Sequence, residues 1–132
     1  FPYTTLFRSG VPWSDVAMHE SSQPSLLKVS LAPEPPCLFL DLRGELDLCT
    51  VKEIPRDAYS SRPDLTTVLV DLGDLTFCDL TGLRALLTFR RIHEAQGRTV
   101  VVVRANPFLW RLMRLCGLTD RLEFARPATA PV

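Results

Sequence analysis

The sequence predicts an α/β fold in which parallel strands form the centre of a sheet. Two short and nearly continuous apolar runs, residues 66–72 (TTVLVDL) and 99–103 (TVVVV), are typical of strands buried on both faces. The segment between them has helical periodicity and ends at Gly97, a residue that suits the position after a helix. A strand, a helix and a second strand in this order form a βαβ unit, so the two strands are expected to run parallel.

Composition indicates one globular domain without a nucleic-acid partner. The 132 residues suffice for a single core, and 46% hydrophobic with 23% charged residues is an ordinary globular balance. Fifteen basic residues balance fifteen acidic ones, so no general attraction to a polyanion is expected. No apolar run approaches the roughly 18 residues that span a bilayer, and no secretory signal pattern opens the chain. We therefore expect a cytoplasmic protein without direct membrane insertion.

The two ends of the chain are expected to lie outside the domain. The opening nonapeptide FPYTTLFRS resembles the in-frame translation of a sequencing adapter, and the stretch after it to residue 24 is rich in serine. Residues 126–132 (RPATAPV) have two prolines and no periodicity. The sequence thus predicts a disordered lead-in over 1–24, a domain over 25–125 and a disordered tail over 126–132.

The first elements of the domain are predicted to be two strands and a helix. Weak alternation over residues 26–31 followed by three prolines indicates an edge strand and a turn. Alternating leucines over residues 38–42, before Gly44, indicate a second, half-buried strand. After Asp47, a plausible N-cap, the spacing of apolar residues over 51–58 predicts a helix. Pro55 would either kink this helix or stand in its first turn.

Two further helices are predicted, and residues typical of helix ends mark where each one begins and ends. The first begins near residues 79–81, and its apolar residues cover most of its circumference; they are Leu80, Leu83, Leu86, Leu87, Phe89 and Ile92. Its polar stripe, Arg84, Thr88 and Arg91, is interpreted as a solvated face, with a partner surface as the alternative.

The last helix has Asn106 at its N-cap, Pro107 at its first position and Gly117 beyond its end. Its apolar arc is wide, comprising Phe108, Leu109, Leu112, Met113, Leu115 and Cys116, while Arg111 and Arg114 face water. Residues 118–124 add a short strand. The expected architecture is a mixed sheet of four to five strands with about three helices.

Catalytic and metal motifs are weak in this chain. The four cysteines form no CxxC pair and lie among apolar residues, where reduced cysteine packs as a small hydrophobe. His93 is the one histidine of the predicted domain, so no hydrolytic triad can be assembled. We therefore expect no catalytic residues, cofactor or metal, and no enzyme activity.

One strand-to-helix junction concentrates polar residues. Residues 72–83 (LGDLTFCDLTGL) carry no nucleotide-binding glycine motif, but a helix begins within them. Free backbone donors and the positive end of a helix dipole would stabilise an anion or a phosphorylated side chain there. The simpler alternative is that Asp79 or Thr81 caps the helix.

The same residues carry a family resemblance. Residues 68–87 (VLVDLGDLTFCDLTGLRALL) resemble the signature of the STAS domain, which sulfate-transporter tails and anti-sigma factor antagonists share. Residues 42–47 (LRGELD) resemble the turn after that family's second strand. Residues 97–118 (GRTVVVVRANPFLWRLMRLCGL) resemble its fourth strand and third helix. The three motifs occur in register, and the resemblance extends over residues 26–124.

The resemblance implies a bacterial anti-anti-sigma factor that regulates transcription by partner switching. Such a protein binds an anti-sigma factor, often a serine kinase of the histidine-kinase-like ATPase fold, and so frees the sigma factor; phosphorylation by that kinase ends the interaction. A phosphoryl group adds about −1.5 to −2 charges, which would turn a docking surface at the helix start into a repelling one. The expected partner surface consists of Glu45, Asp47, Asp79, Leu80, Thr81, Gly82 and Arg84.

The sequence departs from the family pattern at the phosphoacceptor. Phosphorylated members have D-S-S-G or D-S-T-G, with the first hydroxyl residue as the usual acceptor, and this chain has Leu80 there. Thr81 matches the second hydroxyl position, so it is a candidate acceptor, a helix cap or a partner contact. Phospho-control is thus lost or moved to Thr81, and an exposed Leu80 would provide an apolar anchor.

Two alternatives stay open at this point. The chain is alternatively a STAS subunit of a lipid-transport ABC complex that docks on the ATPase. The second alternative is a small hydrolase or nucleotide-binding enzyme. Such an enzyme would use Thr81, or the carboxylates of Asp71, Asp74 and Asp79 around Mg²⁺. Acids in such a loop are more often turn and cap residues.

Overall fold

A computed structural model of the chain describes residues 25–117 and the backbone of residues 123–124. The predicted lead-in, residues 1–24, and the predicted tail, residues 126–132, lie outside the described residues. The elements in chain order are β1 (Leu27–Glu34), β2 (Cys37–Leu46), a 3₁₀ helix (Val51–Glu53), β3 (Thr67–Leu72), β4 (Leu75–Cys78), α1 (Leu80–Ala95), β5 (Thr99–Ala105), α2 (Pro107–Leu115) and β6 (Glu123–Phe124).

The strands form one mixed sheet with parallel strands at its centre. Their order is β1-β2-β3-β5-β6, and β4 pairs with β2 off this path. β1 runs antiparallel to β2, whereas the β2–β3, β2–β4, β3–β5 and β5–β6 pairs are parallel. The α/β class, the edge position of β1 and the central β3–α1–β5 unit are confirmed.

β2 is longer than predicted because it has two partners on one side. It pairs with β3 over residues 37–41 and with β4 over residues 44–46, and the register shifts at Gly44. Its inward residues form much of the core: Leu38, Leu40, Leu42 and Leu46 are fully buried. β4, which the sequence did not predict, continues the sheet beyond β3 and leads directly into α1.

The structure corrects the prediction of an α-helix after Asp47. The chain forms a single 3₁₀ turn, and Ile54 is already extended with φ −77° and ψ 120°. Pro55 follows it, and a proline ring disfavours the helical region for the residue before it. The described residues therefore contain two α-helices rather than three.

Both α-helices begin at the residues that the sequence predicts. Asp79 caps α1 and Asn106 caps α2, each through a hydrogen bond from a backbone N–H three residues on. Leu83, Leu86 and Phe89 of α1 are buried in the core, where each such side chain contributes about 1.5–3 kcal/mol.

The predicted apolar arcs are wider than the faces that the core covers. On α2, Leu109 and Met113 are buried, and Arg111 and Arg114 face water as predicted. Leu80 of α1 is exposed, as are Phe108, Leu115 and Cys116 of the α2 region.

A buried polar cluster holds the C-terminal end of α1. Arg98 donates hydrogen bonds to the carbonyls of Leu65 (2.9 Å), Arg62 (3.1 Å) and Tyr59, and its Nη1 lies 2.8 Å from Nδ1 of His93. Because arginine has no acceptor, Nδ1 must accept, so the His93 ring is neutral with its proton on Nε2. Burial, and then the charge of Arg98, lower the pKa of His93. We call these groups the Arg98 cluster.

Candidate functional site

Asp79 organises the junction between β4 and α1. Its Oδ1 accepts a 2.8 Å hydrogen bond from the Gly82 N–H, which caps the helix. Its Oδ2 lies 3.4 Å from the Leu48 N–H, and its own N–H donates to the Leu46 carbonyl at 3.2 Å. Asp79 thus joins the start of α1 to the end of β2 and to the loop that follows. Asp79, not Thr81, makes the cap, which leaves the Thr81 hydroxyl free of that task.

Gly82 lets α1 approach the sheet closely. A Cβ on this residue would lie 2.6 Å from the Leu46 carbonyl oxygen and 2.8 Å from Sγ of Cys78, closer than real Cβ contacts. Gly82 is buried, so it lies beneath the junction surface rather than on it. Its place in the partner surface stays a prediction, and the structure gives it a packing role.

Internal hydrogen bonds fix the loop after β2. Asp47 Oδ1 accepts from the N–H groups of Cys49 (2.9 Å) and Thr50 (3.1 Å). The Thr50 hydroxyl donates to the Glu45 carbonyl at 2.8 Å and lies 2.9 Å from the Asp47 N–H, which donates to it. The Asp47 carboxylate therefore shapes its own loop, and the loop presents Leu48 to solvent.

Three large apolar side chains are exposed around Asp79. Leu48, Phe77 and Leu80 are 72%, 44% and 55% exposed. Leu48 meets Asp79 through its backbone, and Phe77 and Leu80 are two residues before it and one after it. We call these three residues the junction patch. Covering such a side chain completely is worth about 1.5–3 kcal/mol, so the junction patch is suited to binding an apolar protein surface.

The remaining predicted site residues surround the junction patch. Glu45 is half-buried and stands opposite Phe77 in the β2–β4 register. Thr81 is half-buried in the first turn of α1, and Arg84 is exposed one turn further on. The structure brings the seven predicted residues to one region. Sequence reasoning missed Phe77 and Leu48, although a bulky aromatic residue within the junction motif was a usable signal.

The four cysteines differ in environment. Burial, and secondarily the charge of Asp79, raise the pKa of Cys78 to about 12, so this thiol stays protonated at neutral pH. Cys78 packs in the core as predicted. Cys49 and Cys116 are exposed and Cys37 is half-buried, so the expectation of packed cysteines is wrong for Cys49 and Cys116.

The three acids of the magnesium alternative have other partners in the structure. Arg104 Nε lies 2.9 Å from Asp71, whose Oδ1 also accepts from the Gly73 N–H, and Arg104 Nη2 lies 3.5 Å from Asp74. Asp79 caps α1 instead. Within residues 25–117, no three His, Cys, Asp or Glu side chains are grouped to hold a metal ion. The arrangement of these carboxylates gives the magnesium hypothesis no support.

Comparison with known proteins assigns the family. Residues 29–124 match the family described as "Mlab, STAS domain". The match spans most of the chain, which therefore belongs to the STAS domain family.

Solved structures share the fold. Unphosphorylated SpoIIAA, an anti-sigma factor antagonist of Bacillus, has a TM-score of 0.57 at 22% identity over 75% of this chain and 87% of that chain. An anti-sigma factor antagonist from Mycobacterium paratuberculosis has a TM-score of 0.59 at 21% identity over 82% and 92%. Murine Slc26a9, an anion transporter, has a TM-score of 0.58 at 17% identity over 90% of this chain and 22% of that chain. At these identities the likeness shows the fold alone.

Neither described helix combines the length and apolar character that crossing a bilayer requires.

Proposed function

We propose that this chain is an anti-sigma factor antagonist that uses the junction patch to bind an anti-sigma factor and so releases a sigma factor. The observation that carries the proposal is the exposure of Leu48, Phe77 and Leu80 around the start of α1, which Asp79 caps. The fold supports it, because SpoIIAA and the mycobacterial protein are antagonists with the same architecture. In this proposal the chain is a cytoplasmic binding protein and not itself an enzyme.

The proposed partner is an anti-sigma factor of the serine-kinase type, with the histidine-kinase-like ATPase fold. Leu80 cannot accept a phosphoryl group, so the candidate acceptor is Thr81. A phosphoryl group there would bring about −1.5 to −2 charges beside the junction patch and force their desolvation on docking. Phosphorylation would therefore weaken binding without refolding the domain.

A second candidate function is a STAS subunit of a lipid-transport ABC complex that docks on its ATPase. Leu80 favours it, because a surface without a hydroxyl at the usual acceptor position suits permanent assembly. The STAS fold also occurs within Slc26a9, an anion transporter, and the matched family carries the name Mlab. Both functions place the partner on the junction patch, so the identity of the partner separates them.

The test is affinity capture with the tagged full chain in lysate of the organism that carries the gene. Leu80→Asp is the informative variant, since an acid in the first helical turn is favourable for α1 while the charge opposes an apolar contact. Arg91→Asp is the matched control, because it changes an exposed residue of the same helix about 16 Å away. The proposal predicts that the anti-sigma factor is lost with Leu80→Asp and retained with Arg91→Asp.

Incubating the captured complex with ATP and measuring the intact mass then tests phospho-control. A single phosphoryl adduct that disappears in Thr81→Ala supports a relocated acceptor, and no adduct indicates a constitutive antagonist. Capture of an ATPase together with a permease would replace the proposed function by the transport alternative. Equal capture of the anti-sigma factor by Leu80→Asp and the unsubstituted chain would contradict the assigned surface.

A further inference from the structure

α2 carries further exposed apolar residues, none of which belongs to the junction patch. Phe108, Leu112 and Leu115 follow the spacing i, i+4, i+7 and so lie on one face of the helix. Phe108 and Leu115 are 49% and 80% exposed, and Leu112 is half-buried. Leu109 and Met113 occupy the side that faces the core. We call Phe108, Leu112 and Leu115 the α2 strip. Leu112 packs partly against the core, whereas Phe108 and Leu115 belong to no core cluster of the described residues.

The charged residues of α2 itself have one sign. Arg111 and Arg114 are exposed, and the nine residues of α2 include no Asp or Glu. Two copies of this helix packed together would oppose arginine to arginine, which disfavours a second copy as the occupant. The zero formal charge of the chain provides no general attraction to an anionic membrane. Charge complementarity therefore favours a protein segment that combines apolar residues with carboxylates.

The dimensions of the α2 strip fit a helix. Seven residues separate its ends, which is about 10 Å along the helix axis and equals roughly two turns of a partner helix. Helices that bind in this way use their own apolar residues at i, i+3 or i+4, and i+7. Carboxylates that flank such residues would meet Arg111 and Arg114.

We propose that the α2 strip is a docking surface for an acidic amphipathic helix of a partner protein. The apolar side chains of that helix cover Phe108 and Leu115, and its carboxylates pair with the two arginines. This surface does not depend on the proposed function, because it involves no residue of the junction patch. It gives the domain a second set of exposed residues at which a protein can bind.

The test uses a synthetic amphipathic helical peptide with a leucine stripe flanked by glutamates, added to the ¹⁵N-labelled full chain. A peptide with lysines in place of the glutamates is the matched probe. The proposal predicts amide shift changes over residues 107–115 with the acidic peptide and at least about tenfold weaker binding of the lysine peptide. Leu115→Asp should weaken binding of the acidic peptide about tenfold or more. Leu26→Asp, a change at another exposed leucine, should leave it unchanged.

Several outcomes would overturn the proposal. They are equal binding of the two peptides, shifts centred on the junction patch, and undetectable binding of the acidic peptide at millimolar concentration. Co-sedimentation with phosphatidylglycerol vesicles that Leu115→Asp abolishes would assign the α2 strip to a membrane. Dimerisation that the same variant abolishes would assign it to a second copy. Each outcome leaves the Leu80→Asp capture result standing by itself, so the two proposals fail independently.

Discussion

The two ends of α1 are built on opposite principles. At its C-terminal end, polar groups are buried: His93 and Arg98 are almost inaccessible, and Arg98 bonds three backbone carbonyls. At its N-terminal end, apolar groups are exposed: Leu80, Phe77 and Leu48 face solvent around Asp79. The first arrangement holds distant segments together, whereas the second leaves apolar surface that the rest of the domain does not cover. We infer that one end provides stability and the other provides recognition.

The distance between these ends makes the comparison testable. α1 has 16 residues and is about 24 Å long, so substitutions at its two ends should act independently. Changes in the Arg98 cluster should alter the free energy of unfolding, and changes in the junction patch should alter partner binding.

The largest expected effect is that of Arg98→Ala. The substitution leaves the carbonyls of Leu65, Arg62 and Tyr59 without their donor and should lower the free energy of unfolding by about 3 kcal/mol or more. Urea denaturation measures this loss. Arg91→Ala, at an exposed arginine of α1, is the control and should stay within about 0.5 kcal/mol of the unsubstituted chain. An unchanged urea midpoint for Arg98→Ala would show that the Arg98 cluster does not stabilise the segment over residues 59–65.

Gly82 and Gly97, which lie near the two ends of α1, allow a matched pair of substitutions. Gly82→Ala should destabilise the domain by roughly 1–3 kcal/mol, because its Cβ would overlap Leu46 and Cys78 and push α1 from the sheet. Gly97→Ala places no Cβ within 4 Å of a described neighbour, and its cost of about 1 kcal/mol comes from the positive φ of 85°. Thermal unfolding compares their stabilities. The sharper contrast is in partner capture, which Gly82→Ala should weaken and Gly97→Ala should leave intact.

The lowered pKa of His93, at the C-terminal end of α1, predicts that the free energy of unfolding depends on pH. Its folded pKa is below the ordinary 6.5, so between 6.5 and the folded pKa the unfolded chain binds a proton that the folded chain does not. The free energy of unfolding should therefore fall as pH decreases below 6.5, by at most about 1.4 kcal/mol per pH unit. His93→Asn, which keeps an acceptor for Arg98, should remove this part of the slope. Denaturation curves from pH 5 to 8 provide the comparison, and identical slopes would contradict the assignment.

The smallest expected effect is that of the α1 cap. Asp79→Ala removes the hydrogen bond from Gly82 and should cost about 1 kcal/mol, whereas Asp79→Asn keeps a good cap and should cost less than about 0.5 kcal/mol. Chemical denaturation of the two variants measures the difference. If Asp79→Asn proved as destabilising as Asp79→Ala, the charge rather than the cap would be the stabilising feature.

The sequence predicts those elements whose signals are local. The β-branched runs of β3 and β5, the caps Asp79 and Asn106, and the glycine after α1 lie within or next to the elements that they define, and the structure confirms them. β4 was missed because four residues after a two-residue turn show no period-2 alternation: Thr76 and Phe77 are both exposed. Residues 51–58 were predicted to be a helix because their apolar spacing was given more weight than Pro55. The structure has only a 3₁₀ turn there.

The site was predictable in position but not in composition. The motif over residues 72–83 locates the junction. Leu48 and Phe77 were missed as parts of the site, whereas an exposed Leu80 was expected there. Its exposure follows from tertiary packing, because Gly82 and Leu83 take the places nearest the sheet. The Arg98 cluster was not predictable either. It joins residues 33 to 39 positions apart, and no local pattern encodes such a contact.

The most direct test of the comparison is hydrogen–deuterium exchange of the full chain with and without the captured anti-sigma factor. We expect slower exchange in the complex at residues 46–49 and 77–84, with unchanged exchange at residues 93–98. Protection of residues 93–98 without protection of residues 77–84 would contradict the assignment of recognition to the N-terminal end of α1.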